Sequence, residues 1–316
     1  MTTPGDEVTI VICSYNGRAR LDPVLVALAA QDSDGFDVVL VDNNSTDGTA
    51  AFASSHPAVA QLRKRSITFR VVPEERQGLS FARLRGVAEA TNPLVCFLDD
   101  DNIPEPGYVG TGLRFFRDHD VSLACSRVRP RWESPPPRAI VKRSHLLALN
   151  DHLYQSDVFW PAGTVLPPTL GAGLWCRRDD FNSILKTLDA PVLLDRVGGA
   201  MSSGGDIELG HRFCASGRRC AFASDLKILH AIPRGRFGTQ YFVRLIIGVV
   251  RSEATLRLKY SSERSRVTRT VAAMVGLLLA TAGLPLLLLR ADPLREIAFV
   301  YAARWGRLLG PYDASK

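Results

Sequence analysis

Three aspartates in a row, Asp99-Asp100-Asp101, follow the apolar stretch 94–98 without a spacer. Ionised together at the end of a strand they repel one another, so something cationic should sit among them. A hard divalent ion held by one or two carboxylates, with water and a substrate diphosphate at its other positions, meets that demand, which is the chemistry of Mg2+ or Mn2+. The alternative is a solvated acidic turn ahead of a helix near Pro106. A second polar cluster, Asp42-Asn43-Asn44-Ser45-Thr46-Asp47-Gly48, closes an apolar run and opens a helical one. It can hydrogen-bond a base or ribose where a helix N-terminus faces anions, or it can cap that helix. In the third, Ser203-Gly204-Gly205-Asp206-Ile207-Glu208, the glycines let backbone approach a ligand, and Asp206 could take a proton from a hydroxyl. Ser203 and Asp206 also form an acceptable capping box. His230 follows Ile228-Leu229, and a lone histidine there is more often a satisfied core or surface residue than a ligand. His56, His119, His145, His152 and His211 show no ligand spacing.

These clusters need elements to hold them. Short apolar or β-branched runs at 8–13, 37–41, 67–72 and 94–98 predict strands, and the intervening stretches have helical spacing. Strand and helix in alternation predict right-handed βαβ units and a mainly parallel sheet flanked by helices, with ligands outside the carboxyl ends of the strands. Prolines at 130, 135–137, 161 and 167–168 interrupt the pattern over 129–169, which predicts an insertion over the crevice containing a helix at 145–154. A strand at 173–176 and helices at about 179–188 and 206–215 follow. A dinucleotide fold would place G-x-G-x-x-G after the first strand; only Gly17 stands there, which excludes NAD chemistry of that type.

The 316 residues suit one large α/β domain, 1–233, with an appendage, 234–316. Charge divides the same way. Residues 1–233 hold 25 basic and 27 acidic side chains, whereas 234–316 hold 14 and 5, so the net charge of +7 belongs to the tail. Within that tail lies an uncharged run of 19 residues, 271–289, roughly 28 Å long as a helix and close to a bilayer's hydrocarbon thickness. Its basic flanks, Arg264, Arg266 and Arg269 before and Arg290 and Arg295 after, point to an anionic membrane surface and not to nucleic acid, and to a re-entrant or in-plane segment more than a plain span. Arg244, Arg251, Arg257 and Lys259 interleave with Phe242, Leu245, Ile246 and Val249, which predicts an interfacial amphipathic helix. The six cysteines are scattered without a C-x-x-C pair, as for buried reduced thiols, and the polar N-terminus carries no signal-peptide pattern, so a cytoplasmic catalytic part is expected.

At these motifs the sequence resembles a family 2 glycosyltransferase of bacterial type with the GT-A fold, a Rossmann-like sheet. The resemblance runs from Val8 to about Arg236 on Ile12-Cys13-Ser14-Tyr15-Asn16, Val41-Asp42-Asn43-Asn44-Ser45, Gln77-Gly78-Leu79-Ser80-Phe81-Ala82-Arg83, Phe97-Leu98-Asp99-Asp100-Asp101, Gly171-Ala172-Gly173, Gly204-Gly205-Asp206-Ile207-Glu208-Leu209 and His230-Ala231-Ile232-Pro233. By that resemblance Cys13, Tyr15, Asp42 and Asn43 line the base and ribose of a nucleotide-diphosphate sugar, and Arg83 approaches the diphosphate or ribose. Asp99 to Asp101 are similar to the metal motif, with Asp100 towards the ribose, Asp101 the direct ligand, and Asp99 and His230 completing the site. Asp206 falls at the catalytic base, with Glu208 and Trp175 as candidate acceptor contacts. Cys13, Leu84 and Gly205 depart from the commoner family residues. The Gln-x-x-Arg-Trp of processive synthases is absent, since Tyr301 precedes Arg304-Trp305, which implies single sugar transfer. The expectation is an inverting, Mg2+- or Mn2+-dependent enzyme at the cytoplasmic face of the cell membrane, acting on a lipid-linked or saccharide acceptor such as a cell-envelope polysaccharide precursor. Two rivals stand beside it. One is a sugar-nucleotide nucleotidyltransferase, whose glycine- and basic-rich loop Arg18 and Arg20 imitate poorly; the other is a membrane-bound carbohydrate-binding scaffold.

Overall fold

The computed structural model describes residues 7–186, 203–260 and 292–309. Its centre is a nine-stranded sheet in the order β3-β2-β1-β4-β8-β6-β9-β5, with β7 paired to β9. The strands are β1 (Val8–Ser14), β2 (Phe36–Asp42), β3 (Phe69–Pro73), β4 (Leu94–Asp99), β5 (Asn102–Pro104), β6 (Leu123–Trp132), β7 (Val158–Trp160), β8 (Leu174–Arg177) and β9 (Cys220–Ile232). The strands expected at 8–13, 37–41, 67–72 and 94–98 all form, and they pair in parallel, Val8 with Phe36 and Leu94, and Val38 with Phe69. Parallel register puts Ser14, Asp42, Pro73 and Asp99 at one edge, so the polar residues that end each run become neighbours in space.

The expected mainly parallel sheet holds only for those four strands. β4 with β8, β6 with β8, β5 with β9 and β7 with β9 are antiparallel, so the sheet is mixed. Antiparallel strands need no crossover helix, and β6 and β9 carry polar residues at outward positions, which blurred their apolar runs. The helices are α1 (Leu21–Ala29), α2 (Thr49–Ser55), α3 (Pro57–Lys64), α4 (Leu79–Glu89), α5 (Tyr108–Asp118), α6 (Arg138–Val141), α7 (Arg178–Lys186), α8 (Gly205–Ala215), α9 (Thr239–Tyr260) and α10 (Pro293–Leu309). The helix expected at 145–154 does not form. A 3-10 turn, Ser144–Leu147, ends at Ala148 with φ +57°, and Asn150 is drawn onto β6, its Oδ1 accepting from Val128 N and its Nδ2 donating to Ser126 O.

The chain divides into two compact units. The first is Met1–Arg131, Leu149–Ala190 and Leu209–Ala231; the second is Trp132–Ala148, Pro191–Glu208 and Ile232–Lys316. The second unit therefore takes its tail from near the expected boundary at 233, together with part of the 129–169 insertion and the 191–208 stretch. In the first unit, β1, β2, β4 and β8 bring Val11, Val39, Phe97 and Cys176 into one buried cluster.

In the second unit α9 buries Phe242, Leu245 and Ile246. That face does not await a lipid surface, as the interleaved pattern predicted: α10 covers it, with the Phe242 and Phe299 rings 5.0 Å apart and Gly306 set close enough that a Cβ would lie 3.2 Å from Ile247 Cα. An amphipathic stripe satisfied by a protein helix and one satisfied by lipid read alike in sequence. Glu296 of α10, 2% exposed, is held by Arg143 at 2.8 Å and Lys142 at 3.7 Å, as a carboxylate this deep requires. Among the described residues no helix is long and apolar enough to cross a membrane, and the run 271–289 lies outside them.

Candidate active site

The loops that follow β1, β2 and β3 are tied to one another. Asn16, with φ +48°, donates its backbone N–H to Ser45 Oγ, and its Oδ1 accepts from Thr46 N; Gly17 N donates to Thr49 Oγ1. Asn43 holds the next loop, its Nδ2 donating to the carbonyls of Glu74 and Arg76 and its Oδ1 accepting from Gly78 N. Asp42 Oδ1 accepts from Ser45 N. The second polar cluster therefore spends much of its hydrogen bonding on shaping the crevice. It does not cap α2 through Asn44 or Ser45, because Gly48 in the left-handed region occupies the N-cap. Tyr15 remains 48% exposed at the rim, and Asp42 is half-buried.

Beneath the rim, Cys13 is buried, and burial pushes its thiol up to about 12, with Arg83 pulling the other way and Asp99 and Asp100 reinforcing the rise. Those three side chains therefore share Cys13's electrostatic surroundings. Arg83 projects from α4, buried, with its guanidinium 5.8 Å from the Phe97 ring centroid and packed so closely on Gly171 that a side chain there would overlap it. The glycine of Gly171-Ala172-Gly173 thus makes room for an arginine.

The three aspartates part company. Asp100 is buried and turned into the β1–α1 loop, where Arg20 grips it with two bonds, Nε to Oδ1 and Nη2 to Oδ2, both 2.8 Å, while Ser14 Oγ donates to Oδ2 at 2.7 Å. The same Arg20 Nη2 donates to Tyr15 O, and the pairing with Asp100 raises the guanidinium above its ordinary value. Part of the cation that three adjacent carboxylates demand is therefore a protein side chain. Asp101 takes a different course: Asn102 Nδ2 donates to its Oδ1, and its Oδ2 lies 3.5 Å from His230 Nε2. Register explains how a histidine so distant in sequence arrives there. β5 begins directly after the aspartates and pairs with β9, setting Asn102 opposite His230, and Ala231 N donates to Asp101 O.

Among the described residues no group of three or more His, Cys, Asp or Glu side chains is arranged to hold a metal ion unaided. The donors present still suit one. Adjacent ligands on an octahedral Mg2+-like ion stand about 3 Å apart, near the Asp101 to His230 separation, and such ions keep positions for water and phosphate oxygens.

Asp206 and Glu208 lie in the first turn of α8 and belong to the second unit. Within that unit two side chains of α9 hold residues on either side of Asp206 in the sequence: Ser252 Oγ accepts from Ser203 N at 3.1 Å, and Tyr260 Oη donates to Glu208 Oε1 at 2.8 Å. Glu208 is only 2% exposed, so it is a buried anchor and offers little to an acceptor. Trp175 is corrected outright. It is 0% exposed, its ring lies against Gly112 where any side chain would overlap it, and its Nε1 donates to the buried Tyr108 Oη, so it belongs to the core and reaches no acceptor. Ser14, Arg20, Ser252 and Tyr260 went unassigned in the sequence. Arg20 was visible there as one of two basic residues after Gly17, but nothing in the spacing distinguishes it from Arg18.

Residues 9–168 match the model of glycosyl transferase family 2. An uncharacterized glycosyltransferase of Mycobacterium tuberculosis is 38% identical over 126 residues, which cover 40% of this chain and 50% of that one. The chain spans about half the length of the curated relatives of this group that it matches. Among solved structures, a mannosyltransferase of Pyrobaculum calidifontis in complex with GDP-Man and Mn2+ is similar with a TM-score of 0.59 and 18% identity, covering 96% of this chain and 87% of that one. S. aureus TarS 1–349 in complex with UDP-GlcNAc is similar with a TM-score of 0.52 and 15% identity, over 95% and 90% of the two chains. At these identities the structures speak for a shared fold; with more than half of the sequence matched and its polar strand ends gathered at one edge, the chain belongs to glycosyl transferase family 2.

Proposed function

We propose that the chain is an inverting, metal-dependent glycosyltransferase that moves one sugar from a nucleotide-diphosphate donor to a hydroxyl of a membrane-presented acceptor, a glycolipid or polysaccharide precursor. The observation that carries the reading is the Asp101 and His230 pair at the carboxyl edge of the sheet, together with a buried Arg83 that shares the surroundings of Cys13, Asp99 and Asp100. Neighbours of the same fold bound to GDP-Man with Mn2+, and to UDP-GlcNAc, support a sugar-nucleotide donor.

In this reading Tyr15, Cys13 and Asp42 line the base and ribose end of the crevice. Cys13 keeps its proton near neutral pH and serves as wall, not nucleophile. Asp101, Asp99 and His230 would hold Mg2+ or Mn2+, which when bound supplies positive charge to the leaving diphosphate. Arg83 adds a fixed cation on the same side, already desolvated and held against Phe97 and Gly171, so it needs no reorganisation as charge develops. Asp206 takes the proton from the acceptor hydroxyl, which attacks the anomeric carbon from the face opposite the diphosphate. The basic balance of 234–316 and the apolar run 271–289 support an acceptor presented at the cytoplasmic face of a membrane.

The test is a panel of UDP-, GDP- and dTDP-sugars with Mn2+, read as thermal stabilisation and as donor hydrolysis. One donor should stabilise the wild type in a Mn2+-dependent manner, and Asp101→Ala should lose both signals. Equal stabilisation of wild type and variant, or none by any donor, rejects the metal-assisted reading.

A further inference from the structure

We infer that Arg20 is a positioning residue for the ion site: by committing Asp100 to the β1–α1 loop it decides which carboxylates of the triple face the donor, and it sets the charge they present. The inference rests on the proposed role of Asp101 and His230 as ion donors.

Asp100 is enclosed from three sides. Arg20 binds both its oxygens in a fork, Ser14 donates to Oδ2, and a side chain at Gly17 would overlap both the Ser14 hydroxyl and the Asp100 carboxylate. Planar, two-point gripping of a carboxylate is what a guanidinium does and an ammonium does not. The loop that carries Arg20 is itself pinned, through Asn16 and Gly17, to the loop after β2. Asp100 is thus held by a preformed scaffold of its own, with partners other than the Asn102 and His230 that attend Asp101. Three ionised carboxylates would give the strand end three negative charges; Arg20 cancels one. Arg83, which shares the surroundings of Asp99 and Asp100, offsets part of the remainder, so a single divalent cation more than balances the rest and leaves the diphosphate facing a site that does not repel it.

The prediction has opposite signs for two ligands, which loss of structure alone cannot produce. In Arg20→Met, Mn2+ by itself should bind about tenfold tighter, because one unit of positive charge is gone from its surroundings. UDP or GDP in the presence of saturating Mn2+ should bind about tenfold more weakly, for the same reason and because the freed Asp100 carboxylate competes for the ion. Asp100→Asn should weaken Mn2+ binding, and the double variant Arg20→Met with Asp100→Asn should return to within about threefold of wild type. Free Mn2+ is read by electron paramagnetic resonance and nucleotide by calorimetry. Should Arg20→Met fail to fold, the double variant, which leaves no unpaired charge, and Arg20→Lys, which keeps the charge and loses the fork, carry the comparison against Asp100→Asn. A parallel fall in both affinities, or a double variant no better than its parents, assigns Arg20 a purely structural task and overturns the inference. If wild type binds Mn2+, Asp101→Ala abolishes that binding and the Arg20 variants change nothing, the inference fails while the proposed function stands. If wild type binds no Mn2+, both fall.

Discussion

Asp206→Asn keeps the size of the side chain and its capacity to accept a hydrogen bond at the start of α8 while removing its basicity. Transfer should fall by about a hundredfold or more, the usual scale for losing a general base, with donor-induced stabilisation and melting temperature close to wild type. A variant that melts early yet retains turnover in its folded fraction would mark Asp206 as a helix-capping residue. Adjacency in sequence suggested that Asp99, Asp100 and Asp101 act as a unit, but the direction of each side chain depends on what the loops around it offer, and Arg20 and Ser14 claim the middle one. The partnership of Asp101 with His230 was reached through family resemblance, because it depends on strand register between distant segments. Trp175 misled because nothing in its sequence neighbourhood tells a tryptophan buried in the core from one lining a site.

At the scale of elements, the parallel strands were legible because β1, β2 and β4 are mostly apolar runs ended by polar residues, as strands covered on both faces must be, and β3 at the edge is a shorter run interrupted by Arg70. Of the antiparallel half only β8, expected at 173–176, was legible, since β6 and β9 alternate and run through polar positions. The tail shows the same limit in another form: α9 has the periodicity of a surface-seeking helix, yet α10 covers it. Membrane attachment, as proposed, therefore has to come from residues beyond that helix pair, chiefly the run 271–289. The intact chain should stay with membranes through a high-salt wash and need detergent for release, because burial of apolar surface is not screened by salt. Release by salt alone would leave only the basic residues as the attachment. Truncation after Tyr260 is the wrong variant for this purpose, since it would strip α10 from α9 and expose Phe242 and Leu245 artificially.

For the molecule as a whole, the buried thiols set a ceiling in pH. Burial raises Cys13 from 9.0 to about 12 and raises Cys96 and Cys176 further, and Tyr108 is raised as well. A thiol that holds its proton when folded and loses it when unfolded makes the folded state the better proton binder above about pH 9, so stability falls as pH rises through that window. Melting temperature should be level near pH 8 and decline steadily towards about pH 10.5; a level profile across that interval would mean that these groups reach solvent in the folded chain.

Register also governs how the length of the chain can vary. Asn102 and His230 meet across one short antiparallel ladder, three paired positions long. Side chains alternate along a strand, so one residue gained or lost in 102–104 or 228–230 would send His230 to the opposite face of the sheet. Between β7 and β8 the chain runs through loop and turn, where an added residue shifts no ladder. Insertions and deletions should therefore be admitted between β7 and β8 and purged from 102–104 and 228–230, so that conserved length around His230 becomes a mark of the proposed ion site even where the neighbouring side chains drift.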